Sequence, residues 1–195
     1  MLQRNLDNKT LYLLLCVALL MAAVYFVPVW QMNIGGKQFV EPLQLKVWVN
    51  RLTGRTDLDI DTINDFNQYV GVKEIHPSTM PELRLMPFIL GFMILGAFMA
   101  ILFRKVYMLL FGLINIAFVG LAGFFDYYIW LKDFGTDLDP MAPLFDGRVD
   151  YTPPLVGCKS IVEISLCSWP HIGTWVLVLC GVLIAGALVL EYKKK

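Results

Sequence analysis

The chain has 195 residues, 57% of them apolar, and its 16 Lys and Arg balance its 16 Asp and Glu to a formal net charge of zero. So large an apolar share predicts a membrane protein, and with no basic stripe to meet phosphates the sequence excludes a nucleic-acid partner. Walker loops, dinucleotide fingerprints, His-Glu-x-x-His helices and hydrolase triads are absent, so no common enzyme class is signalled.

In chain order, residues 11–30, 85–103, 106–130 and 172–190 are apolar runs long enough to cross ~30 Å of hydrocarbon as helices. The first is too long for a signal-peptide core, and Tyr25, Phe26, Pro28 and Trp30 stand where small cleavage-site residues would be needed, so it reads as a retained anchor. Arg4 and Lys9 precede it, Arg104 and Lys105 form the turn between the second and third runs, and Lys193, Lys194 and Lys195 follow the fourth. By the positive-inside rule these ends face the cytoplasm. The sequence therefore predicts an all-α, four-transmembrane-helix bundle over residues 1–195, N-in and C-in, with outer loops at 31–84 and 131–171. A multi-pass protein of a bacterial inner membrane is the expected setting, with the lipid bilayer and other membrane or periplasmic proteins as partners.

Two polar residues interrupt the third run. Asn115 lies well inside it, where an amide needs a neighbouring helix, and Asp126 falls near the outer interface, hydrated or paired among Tyr127 and Tyr128. Both are candidate intramembrane polar sites. Aromatic residues at 25–30, 124–130, 169 and 175 gather near the outer boundary as an interfacial belt would.

The first outer loop predicts structure of its own. Leu43, Leu45, Val47 and Val49 alternate with Gln44, Lys46 and Trp48, the period of a half-buried strand. Residues 59–70 place Ile60, Ile63, Phe66 and Val70 on one helical face behind Asp59 or Asp61 as N-cap, and this amphipathic helix needs an apolar partner. Pro153, Pro154, Leu155 and Val156 in the second loop offer the only comparably apolar surface, so the two loops are expected to pack as one cap. Pro81 fits the first position of the second span, and Pro87 is expected to kink it.

Cys158 and Cys167 share the second outer loop and form a possible disulfide in an oxidising compartment, whereas Cys16 and Cys180 lie within apolar runs. Soft donors are scattered over the outer side, Met32, Met141, Cys158 and Cys167 among them; His76, Met80 and Met86 lie close in sequence, and His171 stands at the start of the fourth run. Imidazole and thioether suit Cu(I), which makes these four the candidate metal ligands, with copper the possible cofactor. The bland reading, a hydrogen-bonding histidine among packing methionines, stands beside it.

Two strings carry a resemblance. Residues 63–75, with Asn67, Tyr69, Gly71 and Lys73, resemble a segment of the form I-x-x-L-N-H-Y-I-G-M-K-x-I, and residues 137–143 with 151–159 resemble D-L-D-P-x-A-P followed by Y-x-P-P-L-I-G-x-K. Both look like a family of small four-span bacterial membrane proteins found with nitrous-oxide-reductase maturation and copper-handling genes. The resemblance implies a non-enzymatic accessory protein of periplasmic metalloenzyme maturation or copper handling. Gln68 and Val72 depart from it where the pattern has His and Met, which removes its two best soft ligands. A structural or scaffold subunit of a larger membrane complex, and a membrane thiol-redox protein, remain the alternative readings.

Overall fold

The computed structural model describes residues 3–161 and 163–193. Five α-helices occur in the order α1 (Asn8–Ala23), α2 (Asp59–Val70), α3 (Pro81–Phe103), α4 (Val106–Thr136) and α5 (Ile172–Lys193). Five strands, β1 (Trp30–Gly36), β2 (Leu43–Val47), β3 (Leu52–Thr53), β4 (Gly157–Ile161) and β5 (Ile164–Pro170), build one antiparallel sheet in the order β3-β2-β1-β5-β4. Four helices, α1 with its 3-10 extension to Phe26, α3, α4 and α5, are long and apolar enough to cross a membrane.

The short β element expected in the first loop is present, and it belongs to a larger sheet that the all-α expectation did not include. Strand β1 pairs with β2 from its own loop and with β5 from the other, with Trp30 opposite Pro170 and Gly36 opposite Ile164. One sheet thus joins segments more than a hundred residues apart. The first helical span also ends sooner than the apolar run suggested, because Pro28 cannot donate in a helix and Trp30 already begins β1. At the other end, α4 continues past Trp130 to Thr136. Helix α3 begins at Pro81, whose missing N–H costs nothing at a helix start, and it continues through Pro87.

Helix α1 packs against α3 and α5, and α4 against α5 and, less closely, α3. Leu14, Val17 and Met21 from α1, Leu90 and Met93 from α3, Leu109 from α4, and Cys180 and Ile184 from α5 form the buried apolar centre. At the end carrying the N-terminus, residues before α1 clasp the α3–α4 turn: Leu6 N–H donates to Arg104 O at 2.6 Å and Val106 N–H to Arg4 O at 3.1 Å. Buried Glu191 near the end of α5 accepts from Thr10 Oγ1 at 2.6 Å and from Asp7 N–H at 3.2 Å. The C-terminal cations Lys194 and Lys195 lie outside the described residues.

At the opposite end, the sheet, α2 and the final turns of α4 form a second apolar cluster. Strand alternation turns Met32, Ile34, Leu43, Leu45, Ile164 and Leu166 inward, onto Ile63 of α2 and Leu131 of α4. Each such side chain, fully buried, contributes roughly 1.5–3 kcal/mol. Leu155 packs against the same cluster, so the two loops form one cap. Tyr127, Trp130 and Phe134, spaced to share one face of α4, continue as a run of ring contacts from Trp30 of β1. Part of the expected aromatic belt is thus cap core. Phe26, Phe124, Phe125, Tyr128, Trp169 and Trp175 are exposed.

Candidate functional site

Residues 63–75 and 137–143, from different loops, meet in space. Helix α2 ends at Gly71, whose φ of 83° places it in the left-handed region that closes a helix. A Cβ there would lie 2.7 Å from Asp139 O and 3.1 Å from the Ala142 Cβ, so glycine also lets the second loop approach the helix end. The backbones then bond directly: Asp139 N–H to Gly71 O at 2.7 Å, and Leu144 N–H to Tyr69 O at 2.8 Å. Asn67 donates to Lys73 O at 3.0 Å, and Asn64 both donates to and accepts from the Ile75 backbone, so the chain after Gly71 is folded back along α2.

Lys73 is carried by this return to the end of α4. Its Nζ lies 2.8 Å from Asp133 Oδ2 and 2.7 Å from Asp137 Oδ2, and these carboxylates push the ammonium above the usual lysine range. Gly135 stands between them, where a Cβ would fall 2.1 Å from Thr152 Cα. Only a residue without a side chain allows Thr152 to lie against α4 there. Asp150 then turns the chain, accepting from Thr152 N–H at 2.9 Å and pairing with Lys159 of β4 at 3.0 Å. The Thr152 bonds, with Lys159, hold its carboxyl down to about 2.

Asp59 performs the corresponding task at the other end of α2. It is not the N-cap: Leu58 holds that position, and the Asp59 carboxylate turns inward to accept from Gln44 N–H at 2.9 Å, Arg55 N–H at 3.0 Å and the Thr56 hydroxyl. Burial raises its pKa, but the Thr56, Gln44 and Arg55 bonds outweigh that and leave it below the ordinary value. Asp59 thereby fastens α2 to β2.

The four candidate copper ligands have different surroundings. His76 Nε2 lies 2.7 Å from Glu74 Oε2. Met80 packs on the sheet cluster and Met86 on the helix cluster, with its Cε 3.6 Å from the Cβ position of Gly123. His171 sits between β5 and α5, its N–H bonded to Val29 O at 2.9 Å and its Nδ1 buried without a hydrogen-bond partner. Among the described residues no three His, Cys, Asp or Glu side chains are grouped to hold a metal ion.

Cys158 and Cys167 are directly opposed on β4 and β5 and are joined by a disulfide. Cys16 and Cys180 are free, the first exposed and the second buried. Asn115 lines a cavity of ≈ 30 Å³ among α1, α3, α4 and α5, beside Gly96 and Gly112. Asp126 is exposed on α4, with Glu82 as a charged neighbour. The cap holds a cavity of ≈ 70 Å³ lined by apolar side chains such as Ile63, Phe66 and Leu166, with Asn67 and Tyr151 among its few polar groups.

Sequence reasoning missed the roles of Gly135, Asp150 and Lys159, each of which joins distant segments. Of these only Lys159 falls within residues 151–159 of the second string, and nothing local marked Gly135 or Asp150. Comparison with protein-family models and with curated proteins finds no match for this chain.

Proposed function

We propose that this chain is a non-enzymatic accessory protein of the bacterial cytoplasmic membrane that docks a partner during maturation of a periplasmic metalloenzyme, nitrous oxide reductase being the one the resemblance implies. Both termini are inside and the cap is outside. The cation distribution supports that orientation, since Arg4, Lys9, Arg104, Lys105 and Lys193 lie at the end opposite the sheet. The observation that carries the reading is the fusion of both loops through Gly71, Lys73, Gly135 and Asp150 into one cap: a fixed surface on a membrane anchor suits recognition. Docking is favoured over copper handling, because His76 is engaged by Glu74 and the methionines are divided between two apolar clusters.

A structural role in a larger membrane complex is the second reading. It is supported by Asn115, an amide set among the long apolar helices, and by α4, whose apolar window is the least buried of the four spans. A thiol-redox role has weaker support, a lone Cys158–Cys167 disulfide with no second cysteine pair beside it.

The test is deletion of the gene in its native host, followed by measurement of the copper content of the periplasmic reductase. Maturation requires a fall that the wild-type gene restores. The variant with His76 and His171 both replaced by Ala should restore it equally if docking is the task, and fail if copper handling is. Full metallation in the deletion strain overturns the proposal.

A further inference from the structure

We infer that the tip of the cap, centred on Tyr69, Met141, Leu144 and Phe145, is the docking surface, and that it takes a soluble protein presenting an apolar anchor ringed by Lys and Arg. The inference rests on the accessory reading above and names the partner's chemistry.

These four side chains are 58%, 87%, 63% and 39% exposed, in a segment that is otherwise well fixed. Leu144 N–H bonds Tyr69 O, Asp139 N–H bonds Gly71 O, Asp139 Oδ1 accepts from Met141 N–H at 2.9 Å and Phe145 N–H bonds Ala142 O at 3.1 Å. A firmly held backbone thus presents a methionine and two aromatic rings outward, residue types enriched at interfaces, with a leucine beside them.

Lipid is a poor occupant. Helix α4 has 31 residues, about 46 Å at 1.5 Å each, against ~30 Å of hydrocarbon, and the tip segment begins where it ends. The tip therefore stands in water, beyond the exposed Lys132 and Asp133.

Charge identifies the occupant. Residues 55–74 and 131–150 hold ten carboxylates against four cations. Of those cations, Arg55 is bound to Glu41 and Lys73 is shared by Asp133 and Asp137. Asp61 and Asp65 lie on the exposed stripe of α2 that leads to Tyr69, and Asp137, Asp139 and Asp146 are exposed around Met141 and Leu144. An apolar centre inside an acidic rim repels anionic headgroups and a second copy of itself, and steers a basic protein toward it.

The experiment is photo-crosslinking in native membranes from the host, with benzoylphenylalanine replacing Met141 and, as a control, Val40, which is fully exposed on the β1–β2 connection. The position-141 probe should give an adduct to a soluble protein whose crosslinked peptide has a positive net charge. Yield should fall about tenfold between 50 and 500 mM KCl, and equally in a variant with Asp61, Asp65 and Asp146 changed to Asn. Asn keeps the oxygen by which Asp146 accepts Arg148 N–H, so the cap stays folded. Adducts to lipid, to another copy of the chain or to a neutral or acidic peptide would each overturn the inference, as would no adduct or a salt-independent one. An adduct to a basic protein unconnected with metalloenzyme maturation upholds the surface while overturning the functional reading.

Discussion

Replacing Gly71 by Ala should unfasten the second loop from α2 without disturbing the membrane helices. The left-handed φ of 83° costs a non-glycine residue roughly 1 kcal/mol or somewhat more. The new Cβ would lie 2.7 Å from Asp139 O, so that carbonyl must retreat, taking with it the Asp139–Gly71 and Leu144–Tyr69 backbone bonds. At about 1 kcal/mol each these bring the total to about 3 kcal/mol, on the order of a hundredfold in the local opening constant. Native-state amide exchange in nanodiscs should show Asp139 and Leu144 exchanging faster by about that factor. Two controls separate the causes. Gly157 has a φ of 102° with nothing within 4 Å of its Cβ position, so Gly157→Ala should show the backbone cost alone, about fivefold, confined to its own hairpin. Gly112→Ala meets open space and should change nothing in the cap. Unaltered exchange at both Asp139 and Leu144 in Gly71→Ala would refute the reasoning, because neither the conformation nor the close approach would then matter.

Gly135→Ala should be harsher, since the obstacle is Thr152 backbone at 2.1 Å, and slower-migrating, protease-sensitive protein cut between residues 137 and 156 is the expected readout. Because the Asp150 carboxyl is held down to about 2, its contribution is present above the ordinary carboxylate range and is lost as pH falls from about 4 to 2. Thr152 amide exchange, corrected for intrinsic rates, should therefore accelerate across that window in the wild type and not in Asp150→Asn. Replacing both Cys158 and Cys167 by Ser should destabilise the β4–β5 hairpin by about 2–3 kcal/mol, the loop-closure value for a nine-residue separation, and lower the cap's thermal transition.

The membrane helices were legible because each is an apolar run of the necessary length, a signal that needs no partner. Helix α2 was legible for the same local reason, its Ile60, Ile63, Phe66 and Val70 period. The sheet was not. Its central pair, β1 with β5, joins residue 33 to residue 167, and the alternation in Ile164, Leu166 and Ser168 is short and follows a proline-rich stretch that reads as loop. Trp30 was absorbed into the first span since nothing local distinguishes the end of an apolar helix from the start of an apolar strand. Asp59 stood out as a cap residue, and its acidic side chain does bind backbone N–H groups, but those of β2 and the 54–56 turn rather than of its own helix. Gly135 shows the limit: a glycine near the end of a helix signals a close approach without saying to what.

A periplasmic partner can reach the cap only if the cap faces away from the cytoplasm. Single-cysteine variants at Arg55, Arg148 and Lys105, with Cys16 and Cys180 replaced, can be labelled in intact spheroplasts with a membrane-impermeant maleimide. Positions 55 and 148 should label from outside, and position 105 only after the membrane is opened. Labelling of position 105 from outside, with 55 and 148 protected, would invert the protein and contradict the account.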